Sequence, residues 1–164
     1  MLREVSLRKN KENAFDLFAN WGLVAAGNEE SYNAMTIGWG TMGRIWNKDI
    51  VTIYVRPQRY TREFLDNNDK FSLCFFDESY REMLAYFGTK SGRDTDKVKE
   101  AGLTPVFENG CPHFTQCRLV LECKKLSVHE MDPKGFFDEN IEEFYPDKDY
   151  HLVYVGEITR VLNR

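Results

Sequence analysis

The sequence predicts a mainly β protein with helical insertions, built as an antiparallel barrel. Three observations carry that reading. Runs rich in β-branched and aromatic residues recur along the chain, as in IVTIYVR (50–56), FSLCFF (71–76) and HLVYVGEITRVL (151–162). Helical patterns are few and short, and strands do not alternate regularly with helices as a parallel sheet requires. The 164 residues suit one domain, residues 1–164, with a single core.

In chain order, residues 1–8 read as a short strand or arm. Ala14, Leu17, Phe18 and Trp21 fall at i, i+3, i+4 and i+7, a short amphipathic helix closed by Gly22. Leu23–Ala26 is a short apolar strand, and GNEES (27–31) is a hairpin turn. From Tyr32 the side chains alternate. Asn33, Met35, Ile37 and Trp39 form a bulky face that suits a core, and Ala34, Thr36, Gly38 and Gly40 form a nearly bare one. Such bare backbone admits either a flat ligand or a close-packed neighbour, and the strand alone fits both equally.

GWGTMG (38–43) matches the dinucleotide fingerprint GxGxxG in form only. The fingerprint has to open a helix, yet another strand, Ile50–Arg56, starts after a loop containing Asn47 and Asp49. Pro57 ends that strand, and RYTREFLDNND (59–69) begins a helix. Phe71–Phe76 is the next strand. Ser79 with Glu82 reads as a capping box, opening a helix whose stripe of Tyr80, Met83, Leu84 and Phe87 reads as core. GTKSGRDTDK (88–97) is a polar loop into a short helix, and ENGCPHF (108–114) is another loop. Along Arg118–Lys124, Leu119, Leu121 and Cys123 alternate with Arg118, Val120, Glu122 and Lys124. Residues 130–149 are an acidic, turn-rich excursion before a long final strand.

Composition narrows function. A net charge of −4 argues against nucleic-acid or anionic-membrane binding. No apolar run approaches the ~20 residues of a membrane-spanning helix, and the charged N-terminal stretch lacks a secretory apolar region, so the expected compartment is the cytoplasm. Twelve Phe, eight Tyr and three Trp exceed core needs and fit a dimer interface or a flat ligand. Cys74, Cys111, Cys117 and Cys123 read as reduced, buried thiols. A zinc site from Cys111, His113, Cys117 and Cys123 lacks the tight ligand pairs such sites use, so no metal is expected. His113, His129 and His151 have no triad-like partners and read as structural or solvated.

The basic turn stands apart. Arg56, Arg59 and Arg62 surround Thr61 where a helix begins, which makes an anion site suited to a phosphate monoester. A capping threonine among surface arginines is the plainer reading. The adjoining glycine-lined strand favours a phosphate-bearing planar cofactor.

NAMTIGWG (33–40), VRPQRYTREF (55–64), GTKSGRDTDK (88–97), LVLECKKL (119–126) and DYHLVYVGEI (149–158) together resemble the flavin reductase-like, FMN-binding split-barrel family, in particular its flavoredoxin-like branch. That resemblance implies a six-stranded Greek-key split barrel, a homodimer, and FMN as cofactor. It places Asn33, Ala34, Met35, Thr36, Gly38, Trp39 and Gly40 along the flavin ring. Arg56, Arg59, Tyr60 and Thr61 would take the phosphate, with Ser91, Arg93, Asp94 and Lys97 in supporting roles. It further implies NADH or NADPH as a transient donor, with chemistry at flavin N5 and no catalytic side chain. An FMN electron carrier without nicotinamide activity, and a split-barrel module for haem or pyridoxal phosphate, are the competing readings.

Overall fold

The computed structural model describes residues 1–164. Strand β1 (Arg3–Val5) is followed by a 3-10 turn and by α1 (Ala14–Ala19), whose Phe15 N–H donates to the capping Asn13 side chain at 3.0 Å. The left-handed residue that ends this helix is Trp21, at φ +66°, not the expected Gly22. Gly22 instead opens β2 (Gly22–Gly27), which pairs with β3 (Tyr32–Ile37).

Strands β4 (Gly40–Ile45) and β5 (Lys48–Val55) form a tight hairpin through Trp46 and Asn47, both left-handed at φ +53° and +57°. Two left-handed residues match the right-handed twist of the flanking strands. The expected loop is therefore a strand plus a two-residue turn. GWGTMG runs into β4 and opens no helix, so it is no dinucleotide fingerprint.

The chain continues through α2 (Thr61–Asn67), β6 (Lys70–Phe75), α3 (Arg81–Thr89) and α4 (Lys97–Glu100). The expected capping box is absent: a 3-10 turn at Glu78–Tyr80 leads into α3, whose N-cap position is Tyr80 with no side-chain cap. Next come β7 (Pro105–Glu108) and β8 (Cys111–Phe114), a hairpin turning at Asn109–Gly110 where only a loop was expected. Strand β9 (Leu119–Glu130) leads through the excursion, with 3-10 turns at Pro133–Gly135 and Glu139–Phe144, to β10 (Leu152–Asn163). β9 is buried on both faces up to Cys123, because Glu122 is held inside by Arg160 and Asn109.

The antiparallel sheet runs β3-β2-β6-β9-β10-β5-β4, with β1 added to β10. β5 and β6 are consecutive in sequence yet flank the β9–β10 pair, a Greek-key crossing. Seven strands form the path and β1 makes an eighth, against the six the resemblance implies. Its two edges, β3 and β4, are joined only through Gly38 and Trp39, so the barrel stays open there instead of closing.

One core cluster fills the barrel around Phe71, Leu73, Phe75, Leu121 and Tyr154. A second lies outside it, where Leu84, Phe87 and Val98 of α3 and α4 cover Ala25, Ala34 and Cys74. All four cysteines are free and buried. No helix is long and apolar enough to cross a membrane.

Candidate functional site

The start of α2, the end of α3 and the loop after it converge beside β3 and leave two adjoining cavities. The smaller, about 170 Å³, is polar and is lined by Asn33, Arg59, Tyr60, Thr61, Ser91 and Lys97 among others. The larger, about 490 Å³, is half apolar, with Trp21, Ile37, Trp39, Tyr54, Leu84 and His151 in its walls. Met35, Arg59 and Thr89 belong to both, so the two form one cleft with a polar end and an aromatic end.

Two cations dominate the polar end. Arg59 donates to Gly88 O at 2.8 Å and Phe87 O at 3.3 Å, the last carbonyls of α3, where a positive charge complements the helix dipole. Lys97 is buried, donates to Ala34 O at 2.8 Å and lies 5.0 Å from the Phe87 ring centre. Their contacts are carbonyls and a ring face, with no carboxylate to balance them. Burial accordingly lowers the Arg59 pKa. Burial first, then the charge of Arg59, pulls the Lys97 ammonium down to about 8.

Buried cations normally come with a counter-ion; here the cavity is where one can sit. Thr61 is buried as well, and its hydroxyl oxygen accepts from Asn33 Nδ2 at 2.9 Å, which leaves its own hydrogen free to donate. The Arg59 guanidinium, the Lys97 ammonium and the free Thr61 hydroxyl fit a phosphate monoester.

The aromatic end shares Arg59 and adds a second arginine. Arg56 enters its wall, but its guanidinium donates to Asp149 Oδ2 at 2.6 Å and Phe144 O at 2.7 Å, and lies over the Tyr145 ring. His151 is buried, with Nδ1 2.7 Å from Tyr145 Oη. Burial and the nearby Arg56 charge lower its pKa to about 4, so the imidazole is neutral at ordinary pH. The cleft volume falls in the ~300–1,000 Å³ range of small-molecule sites, and its flat aromatic walls beside a phosphate-suited end fit a flavin mononucleotide.

A model of the flavin reductase like domain matches residues 18–164. The chain belongs to the flavin reductase-like family. Solved structures share the fold over nearly its whole length. An FMN-binding domain of a flavin reductases-like enzyme from Shewanella baltica aligns with TM-score 0.72 and 19% identity, over 99% of this chain and 77% of that one. Flavoredoxin from Methanosarcina acetivorans aligns with TM-score 0.70 and 22% identity, over 95% and 75%. An FMN-binding protein from Thermus thermophilus, solved with p-hydroxybenzaldehyde bound, aligns with TM-score 0.68 and 21% identity, over 88% and 71%. No curated protein sequence matches.

Within this family member, the residues singled out from sequence divide into three groups. Asn33, Met35, Arg59, Tyr60, Thr61, Ser91 and Lys97 meet at the polar end, and Thr36, Gly38, Trp39 and Arg56 line the aromatic end. Ala34, Gly40, Arg93 and Asp94 line neither cavity. Arg93 instead stacks 4.5 Å from the Tyr60 ring centre and pairs with Glu63. Arg56 was expected at the phosphate; it sits at the other end, committed to the excursion.

The bare face also has a different cause from a ligand alone. A Cβ on Gly40 would stand 2.3 Å from the Phe18 ring, and one on Gly38 would stand 2.7 Å from Trp21. Trp39 is not core: it is 47% exposed and packs edge-on against Phe144 at 5.5 Å. Thr36 donates to Leu84 O, tying β3 to α3. Sequence reading missed His151, Tyr54 and the α3 residues Leu84, Ala85 and Gly88. The helix stripe looked like core, and Leu84 serves as both core and wall. His151 carried no local signal, although it stands inside the DYHLVYVGEI motif.

Proposed function

We propose that residues 1–164 form an FMN-binding unit that acts as an NAD(P)H-dependent flavin oxidoreductase. The observation that carries the reading is the pair of desolvated cations without a carboxylate partner, Arg59 and Lys97, facing a polar cavity continuous with an aromatic one. Family membership supports it. Arg59, Lys97 and the Thr61 hydroxyl hold the phosphate; Ser91 and Tyr60 bound the same end. Trp21, Ile37 and Leu84 keep water from the ring end.

FMN held there would supply the redox chemistry, with a nicotinamide as the proposed hydride donor. The side chains need only position the partners, which explains a site without an acid–base pair of facing carboxylates. Trp39 and Phe144, exposed at the open edge of the cleft, together with Ile45 and Trp46 on the β4–β5 turn, form apolar surface of the kind a homodimer covers. Sedimentation velocity tests that part.

The experiment for the main reading is spectroscopic. The purified protein, or the protein given FMN, should show a flavin spectrum, and anaerobic NADH or NADPH should bleach it. A flavin spectrum that neither nucleotide bleaches replaces the reductase with a flavoredoxin-like electron carrier. A protein that takes no flavin sinks both.

A further inference from the structure

The excursion between β9 and β10 concentrates the charge of the chain. Residues 130–149 carry eight Asp and Glu against two Lys, a net −6, so a total of −4 leaves the remaining residues at +2. Of these eight carboxylates, Asp149 alone is paired with a cation, Arg56. Glu142 accepts from Tyr150 Oη at 2.9 Å, and all but Asp149 are exposed. Like charges this dense repel one another, a cost that a partner of opposite charge removes.

The same segment turns apolar surface outward. Phe136 packs inward, its ring 6.2 Å from that of Tyr145 and 5.9 Å from that of Tyr150. Phe137, the next residue, is fully exposed, and Phe144 is half exposed. Asp138, Glu139 and Glu143 lie between these two phenylalanines in the chain. Aromatic anchors within a charged rim are the anatomy of a protein interface. The segment is also fixed at the ring end of the cleft, where Phe144 meets Trp39 edge-on at 5.5 Å and its carbonyl accepts from Arg56 at 2.7 Å.

Charge sorts the occupants. A second copy bound through this patch would set one net −6 surface against another, and nucleic acid or an anionic membrane would be repelled in the same way. A basic protein is attracted, and a surface beside the ring end suits one that takes electrons.

We propose that the excursion is the docking surface for a basic electron-acceptor protein, with Phe137 as the apolar anchor and Asp138, Glu139 and Glu143 as the charges that orient it. Electron-transfer encounters bury less than about 1,200 Å², so a few such contacts suffice. A reduced flavin gives up two electrons: two partner molecules dock in turn, each taking one, and the two flavin protons go to water. The transfer rests on the flavin reading above, and the docking does not.

The test uses the purified full chain, with and without FMN. The probe is ferricytochrome c, a basic haem protein that accepts one electron. Binding is measured by calorimetry at about 10 mM and about 150 mM salt, between which the screening length falls from roughly 30 Å to 8 Å. Affinity should drop at least tenfold between the two, and lysine-acetylated ferricytochrome c should not bind. Asp138→Asn, Glu139→Gln and Glu143→Gln together should weaken low-salt binding at least tenfold. Phe137→Ser, a change at a fully exposed position, should weaken it at least threefold at both salt levels. A control triple, Glu29→Gln, Glu30→Gln and Asp69→Asn, removes the same charge elsewhere and should change binding less than threefold. Photoreduced protein should pass electrons to ferricytochrome c more slowly in the excursion triple, and to the small anion ferricyanide no more slowly. Absent binding at low salt overturns the proposal, as do equal losses in the two triples or binding indifferent to Phe137→Ser. Transfer rates equal in the native chain and the excursion triple overturn the electron-acceptor role. A protein that takes no FMN defeats the flavin reading, and calorimetry on the flavin-free chain still decides the docking.

Discussion

Two clusters of positive charge in this molecule have opposite electrostatics. On β10, Arg160 donates to Glu4 at 2.9 Å, Glu108 at 2.9 Å and Glu122 at 3.1 Å, and these bonds raise its pKa. Across the barrel wall, Arg59 and Lys97 have carbonyls for partners, and burial lowers their pKa. A cation with carboxylates around it is finished as a structural element. A cation desolvated without them destabilises the free protein and has that cost offset only when an anion arrives. The comparison identifies which positive charges are architecture and which await a ligand.

The largest effect belongs to the finished cluster. Arg160→Met leaves Glu122, whose side chain is 3% exposed, with only Asn109 as a hydrogen-bond donor. Breaking such a pair typically costs about 3–5 kcal/mol. Urea unfolding should register that loss, and FMN titration of the folded fraction should show unchanged affinity. A weakened FMN affinity here would break the division between the two clusters.

The open cluster should respond with opposite signs in two measurements. Lys97→Met removes a buried, unbalanced ammonium, so the ligand-free protein should gain roughly 1–3 kcal/mol, while FMN binding weakens by about 1–3 kcal/mol, the worth of a hydrogen bond to a charged group. Arg59→Ala and Thr61→Ala should each weaken FMN by a similar amount, though Arg59→Ala also strips the α3 carbonyls of their donor. Riboflavin, lacking the phosphate, should bind all three variants as it binds the native chain. If riboflavin and FMN lose affinity together, the cations serve something other than a phosphate.

What was legible in the sequence was what neighbouring residues decide. The alternation of β3, the β-branched run of β5 and the basic turn ahead of α2 all show locally, and Arg59 and Thr61 were named from that turn; Lys97 was named only through the family resemblance. What was not legible depends on contacts across the chain. Arg56 and Arg59 stand three residues apart in the same turn, yet Arg59 turns to the end of α3 and Arg56 to Asp149 in the excursion. The glycines show the same limit. Gly38 and Gly40 looked like room for a ring, but Trp21 and Phe18 from the first helix and its turn already fill that room. Gly40→Ala should therefore cost about 1–3 kcal/mol by overpacking, with FMN affinity retained. Thermal unfolding and FMN titration separate the two readings, because a ring-clearing glycine would show the reverse.

The smallest effect at neutral pH, and the most specific, is a proton. In the free protein Lys97 titrates near 8, below its ordinary 10.5. Because the folded value is the lower one, the unfolded chain holds the proton more tightly, and stability of the free protein should rise as pH increases from about 8 to 10.5. Ligand binding runs the other way. A phosphate dianion favours the charged amine, so above pH 8 binding must first protonate Lys97, and FMN affinity should fall, at most about tenfold per pH unit. At pH 7 the amine is already charged and nothing is lost. Lys97→Met should bind FMN more weakly at pH 7 and show no decline attributable to this group at pH 9, and riboflavin should show none in either protein. A native protein whose FMN affinity declines no more than that of Lys97→Met would place the phosphate away from Lys97, and leave its buried charge without an explanation.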